Sequence, residues 1–153
     1  VRDQISNAED IPMGFKLLPA GYGFTDVLFP LYRRVSDSGV EFGIFVSSQH
    51  LNSMQICHGG VLMMLADITA ASGVNFSVGK KSGSPTINLS LDFVAPAHVD
   101  TWIESRAELV STRKRFGFCS GTIVSEDNLI ARFNGTFYLP HDSDSSSEVK
   151  LKA

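Results

Sequence analysis

Hydrophobic and polar positions along this chain follow two different periods. Thr86-Ile87-Asn88-Leu89-Ser90-Leu91-Asp92-Phe93 alternates residue by residue, the signature of a strand with one buried face. Trp102 to Val110 alternates likewise, with Ile103, Ser105, Ala107 and Leu109 on one face and Trp102, Glu104, Arg106 and Glu108 on the other. Two more strands are expected over Phe116–Ser125 and Leu129–Leu139, joined by turns at Thr112-Arg113-Lys114-Arg115 and Glu126-Asp127-Asn128. One face of this pair collects Gly117, Cys119, Gly121 and Ile123, then Ala131, Phe133, Gly135 and Phe137. Small residues there let backbone approach backbone, so a curved sheet can close tightly on a helix.

The helical stretch is Val61 to Phe76, entered through His58-Gly59-Gly60. Apolar and small residues run almost all the way round it, the pattern of a helix buried on every side. Gly79 to Gly83 closes it, and Lys80 and Lys81 stand near its C-terminal end, where cations suit the dipole. Upstream, Gly21 to Ser36 favours strand, with Pro30 breaking the run or placing it at an edge. Asp37-Ser38-Gly39 signals a turn and Val40–Ser47 the returning strand of a hairpin. Residues 1–20, interrupted by Pro12 and Pro19, read as a short helix or extended arm; residues 21–140 form the domain. From His141 to the end, residues 141–153 carry too little apolar content to order themselves and read as a flexible tail.

A chain of 153 residues fits one domain that buries roughly 70% of its unfolded surface. The formal charge of −3, from 13 basic and 16 acidic side chains, includes no long single-sign run, which argues against nucleic acid or a membrane surface as the main partner. Cys57 and Cys119 match no redox or zinc spacing, so reduced thiols and no metal are expected. The chain starts at Val1 without a basic, apolar, small-residue leader pattern, and no uninterrupted apolar run reaches the ~18 residues of a span. A cytoplasmic setting is the resulting expectation.

Two features could carry chemistry. The leading amides of the helix lack intrahelical acceptors and can bind an anion or a developing oxyanion, and Gly59-Gly60 lets a ligand approach them. The plainer alternative is a tight loop-to-helix turn. Asp67, flanked by Leu65, Ala66, Ile68 and Ala71, is expected to be substantially buried, which raises a carboxylate toward the range of a general base. A buried Asp satisfied in a structural network is the competing reading. Gly59 and Asp67 are eight helical residues apart, about 12 Å, too far to meet at one reacting carbon. If both are catalytic, a homodimer must share its sites between subunits.

The combination of Asn52, His58-Gly59-Gly60 six positions on, Leu65-Ala66-Asp67, and Thr86 through Ala97 resembles the hotdog-fold acyl-CoA thioesterases. The match is to the PaaI-like, phenylacetic-acid-pathway group of the 4-hydroxybenzoyl-CoA thioesterase superfamily, over roughly Leu31 to Pro140. The resemblance implies an α+β hotdog fold, a long central helix wrapped by a curved antiparallel sheet of five to six strands. It implies a homodimer, possible as a dimer of dimers, with active sites between subunits, acting on an acyl-CoA substrate without a cofactor.

In residue terms, the resemblance makes Asp67 general base or nucleophile, Gly59 the amide that polarises the thioester carbonyl, and Asn52 a holder of the carbonyl or the water. Thr86 is placed close to Asp67. His58 is expected to hold the loop through its ring, and Cys57, pointing away from its neighbour in an extended segment, is not expected to be a nucleophile. Gly60, Met63 and Asn88 are expected to contact substrate, and Lys80, Lys81, Arg113, Lys114 and Arg115 are candidates for the CoA phosphates, with solvated turns as the alternative. The further glycine that relatives often carry between the Asn and the His is missing here. Two other functions stay open: a non-catalytic acyl-CoA-binding protein, and a hydroxyacyl-thioester dehydratase, for which no suitable His-Asp pairing is evident. The acyl group, aryl or medium-chain, is left unspecified.

Overall fold

The alternating segments become strands of one antiparallel sheet, and the small-residue face becomes the surface on which the helix lies. In the computed structural model, residues 10–81 and 83–141 are described; the expected tail from residue 142 onward, and residues 1–9 of the expected arm, lie outside them. The strands are β1 (Lys16–Leu17), β2 (Tyr32–Ser36), β3 (Gly39–Phe45), β4 (Thr86–Phe93), β5 (Trp102–Arg113), β6 (Phe116–Ser125) and β7 (Asn128–Tyr138), in the order β1-β2-β3-β5-β6-β7-β4. Helix α1 spans Gly59–Ser77. The sheet has seven strands rather than five to six, because Lys16 and Leu17 of the arm pair with Arg33 and Tyr32.

Fully buried Ile44, Ile103, Ile123, Phe133 and Phe137 from the sheet meet Leu65, Ala66 and Val74 of α1. The close approach depends on missing side chains. A Cβ on Gly117 would lie 2.3 Å from Val74 Cγ1, and one on Gly73 would lie 2.9 Å from the Ala107 Cβ. Overpacking of this kind costs about 1–3 kcal/mol. Gly117→Ala should therefore lower the melting temperature by several degrees, at roughly 2–4 °C per kcal/mol for a chain of this size. A calorimetric shift under a degree would show that β6 can yield.

Several expectations are corrected. Gly21–Ser36 is not one strand: Gly23–Leu28 forms a 3₁₀ helix, with the Asp26 carboxylate accepting from the Gly21 and Tyr22 amides, and only Tyr32–Ser36 is extended. In β5 a bulge between Ala107 and Leu109 shifts the register, so that Leu109 turns outward, 66% exposed, and Val110 packs against the core. A bulge adds one residue on one strand and so inverts the alternation beyond it. α1 is not covered all round either: Met63, Met64, Asp67, Ile68, Ala71 and Ser72 are only half-buried, because the sheet meets one side of the helix. By length and apolarity α1 could cross a bilayer, and half of it is buried within the same chain. β4 ends the sheet, and its expected buried face is covered only in part: Leu89 and Leu91 are half-buried against the core, while Ile87 and Phe93 are 53% and 56% exposed.

At the opposite end of the sheet the arm is clasped from outside. Trp102 lies over Gly43, where a Cβ would come within 2.1 Å of the indole. Phe15, Tyr32 and Phe45 pack edge-on around it with centroids 5.0–5.6 Å away. Arg34 stacks 4.3 Å above Phe15 and bonds Glu41 at 2.5 Å.

Candidate active site

The loop entering α1 is built on Asn52. Its Oδ1 accepts from the amides of Met54 (2.9 Å) and Ile56 (3.4 Å), and its own amide donates to the Ile56 carbonyl (2.9 Å). The turn requires a left-handed residue, and with no glycine available Gln55 takes that conformation itself, at φ 60°. The side-chain nitrogen of Asn52 donates to no described residue. His58 then caps the helix: its Nδ1 accepts from the Gly60 amide at 2.8 Å, and its own amide donates to the His50 carbonyl at 2.7 Å. Gly60 is thereby used internally, while the Gly59 amide has no acceptor among the described residues.

Gly59 also lines a cavity of about 440 Å³, together with Asn52, Met54, Ile56, Cys57, Leu62, Phe93 and the Val94–Ala97 segment. The Phe93 ring crosses Gly59, 3.2 Å from where a Cβ would stand. Asn52 and Gly59 thus share one pocket, a helix-end amide beside a side-chain amide in a mainly apolar setting. Such a pair suits an oxygen on which negative charge develops.

Asp67 and Thr86 form the second group. The Thr86 hydroxyl, at the first residue of β4, donates to Asp67 Oδ1 at 2.7 Å. Within one chain Asp67 is half-buried, not substantially buried, because it lies on the flank of α1 beside the open strand. Neither residue lines the Asn52–Gly59 cavity. β4 passes between the two groups, with Thr86 at Asp67 and Phe93 at Gly59.

Met63 is half-buried one turn before Asp67, and Asn88 is exposed on β4. Lys80 Nζ donates to the Pro140 carbonyl at 2.5 Å, and Lys81 is exposed. Arg113 ends β5, and Lys114 and Arg115 form the β5–β6 turn, with Lys114 at φ 54° and Arg115 Nη1 donating to the Tyr138 hydroxyl at 2.9 Å. Burial pushes the Cys57 thiol up to about 11 and the Cys119 thiol up to about 12, so neither is a thiolate nucleophile near neutral pH.

His50 and Phe93 carry roles that residue patterns did not single out. His50 is fully buried; Nδ1 accepts from the Ser47 amide at 3.1 Å and Nε2 lies 3.1 Å from the Val27 carbonyl. These partners suit the neutral ring with its proton on Nε2. Desolvation by burial pushes its pKa below the ordinary 6.5, against the opposing pull of the Val27 and Phe45 backbone bonds. The native state therefore binds fewer protons than the unfolded chain, and the stability His50 confers above about pH 6.5 is lost as pH falls below it. The melting temperature should drop between pH 7.5 and 5, and His50→Gln should flatten that slope; equal slopes would count against the assignment.

Three comparisons bear on this geometry. Residues 54–131 match the family described as Thioesterase superfamily. A Pseudomonas aeruginosa protein provisionally named as an esterase is 29% identical over 132 residues, covering 86% of this chain and 98% of its own. Among solved structures, the TT0310 protein of Thermus thermophilus superposes with a TM-score of 0.68 at 26% identity, over 76% of this chain and 97% of that one. A variant of the phenylacetic acid degradation protein PaaI of the same organism superposes with a TM-score of 0.68 at 25% identity, over 76% and 98%. The helix-on-sheet arrangement described above is the hotdog fold.

Proposed function

This chain belongs to the thioesterase superfamily, and from that premise we propose that it hydrolyses acyl-CoA thioesters to free CoA and a carboxylic acid. The observation that carries the reading is that Gly59, whose amide has no acceptor among the described residues, lines one cavity with Asn52. The thioester carbonyl oxygen accepts from that amide, which the helix dipole makes a strong donor. The Asn52 side-chain nitrogen holds either the same oxygen or the attacking water. Asp67, its carboxylate oriented by Thr86, either removes a proton from a water that adds to the carbonyl carbon or adds to that carbon itself; thiolate leaves as the carbonyl re-forms, and on the second route water then hydrolyses the mixed anhydride on Asp67 to release the acid. Met63 and Asn88 border the acyl group on the Asp67 side, with Gly60 at the helix end.

Two chains complete each site in this reading. β4 is an open edge that carries exposed Ile87 and Phe93, with exposed Val94 just beyond it, the kind of edge that natural sheets pair or cover. A second copy pairing its β4 antiparallel about a two-fold axis near the middle of the strand brings the Thr86 end of one chain to the Phe93 end of the other. Asp67 of one subunit then approaches Gly59 and Asn52 of its partner, and symmetry gives two sites per dimer.

The direct test is thiol release from a panel of aryl-, short-, medium- and long-chain acyl-CoAs. Aryl thioesters come first, since one structural neighbour is named for phenylacetic acid degradation. No release from any member would overturn the proposal, and acyl-CoA binding without turnover would favour a non-catalytic carrier.

A further inference from the structure

Two neighbouring side chains tie the loop that carries Asn52 and Gly59 to a distant part of the sequence. Ser48–His50 is a single 3₁₀ turn between β3 and that loop, capped reciprocally by Ser47 and His50. From this turn His50 Nε2 donates to the Val27 carbonyl and Gln49 Nε2 to the Phe29 carbonyl, both at 3.1 Å. Val27 lies in the Gly23–Leu28 3₁₀ helix and Phe29 ends it. The main chain of His50 serves the site instead. Its carbonyl accepts from the His58 amide at 2.7 Å, and His58 Nδ1 takes the Gly60 amide, which leaves the Gly59 amide as the donor for a ligand. Asn52 follows two residues after His50.

We propose that Gln49 and His50 are positioning residues for the reaction: their bonds to the Phe29 and Val27 carbonyls fix where the Asn52 side chain and the Gly59 amide stand. The inference rests on the thioester reading, in which those two groups meet the substrate's carbonyl oxygen. Neither Gln49 nor His50 lines the cavity, so they act through the loop and not on the substrate. The His50 ring is fully buried, and water does not replace a bond lost there. The loop also holds Gln55 at φ 60°, a conformation that a residue other than glycine keeps only where its surroundings impose it. Released from Val27, the turn shifts, and His58 and Asn52 shift with it.

Two amide side chains separate the ring's bonds. In His50→Asn the shorter amide meets Ser47 and leaves the Val27 carbonyl without its donor, whereas in His50→Gln the longer one keeps a donor near the place of Nε2. At a temperature where circular dichroism shows each variant folded, His50→Asn should lower kcat for an acyl-CoA about tenfold with KM little changed. His50→Gln should restore most of that loss. Gln49→Ala, at an exposed position, should lower kcat by a smaller factor and keeps the question open to measurement if His50→Asn does not fold. Refolded jointly with Asp67→Asn, His50→Asn should recover to about a quarter of the unmodified activity, because the mixed dimer joins an unaltered loop to an unaltered Asp67. Joint refolding with Asn52→Ala, which fails in the same half, should add nothing; a general loss of stability would show no such preference. Unchanged kcat in both His50→Asn and Gln49→Ala, equal loss in the asparagine and glutamine variants, or recovery with Asn52→Ala would overturn the proposal. Amide exchange over residues 51–60 reads the same positioning without turnover. It should quicken in His50→Asn while the centre of α1 holds, and unchanged exchange in the loop would overturn the proposal as well. Failure of the unmodified chain to cleave any acyl-CoA would instead sink the hydrolase reading, while amide exchange still decides whether this pair sets the loop.

Discussion

Replacing Asp67 with Asn is expected to lower kcat for acyl-CoA hydrolysis by about a thousandfold, the scale on which a positioned base or nucleophile acts. The substitution is informative because it keeps the local geometry. An amide oxygen still accepts from the Thr86 hydroxyl, which lies 2.7 Å from Asp67 Oδ1, so α1 and β4 stay joined. Only the negative charge and its basicity are lost. Melting temperature and oligomeric mass should match the unmodified protein, and turnover comparable to it would remove Asp67 from the reaction.

A second large effect comes from mixing two dead proteins. Asp67→Asn and Asn52→Ala each remove one half of a site whose halves, in the proposed dimer, come from different chains. After denaturation and joint refolding at equal concentration, half of the dimers are mixed. Each mixed dimer holds one site with both native residues and one with neither. Activity should recover to roughly a quarter of the unmodified level. If each chain carried a complete site of its own, mixing would restore nothing, and the separation of Gly59 and Asp67 by about 12 Å would need another explanation.

How much of this was legible in the sequence depends on whether a residue's role is local. The small-residue faces of β6 and β7 were readable because strand alternation is local, and Gly117 does lie against Val74 of α1. Leu109 was misplaced because a one-residue bulge inverts everything after it and leaves no mark in the alternation. The 3₁₀ helix Gly23–Leu28 was missed because its aromatic and β-branched residues favour strand, while the Asp26 bonds that hold the turn are visible only in three dimensions.

In the site, the resemblance paired Thr86 with Asp67, and the two are hydrogen-bonded. The extent of Asp67's burial was not legible, since apolar neighbours in sequence do not say which flank of a helix the sheet covers. His50 was invisible for a related reason. A lone histidine in a polar stretch carries no periodic signal, and its place two residues before Asn52 was the only pointer to a ring that joins Ser47 to Val27.

The clasp around Trp102 also decides what light reports about this molecule. The chain has a single tryptophan, seated on the outer face of the sheet among Phe15, Tyr32 and Phe45, its indole nitrogen donating to Glu104 at 3.2 Å. The Asn52–Gly59 cavity does not include it. Intrinsic fluorescence therefore follows the seating of the arm at Phe15 rather than events beside Asp67, and an emission change during unfolding times the release of the arm from β2, β3 and β5.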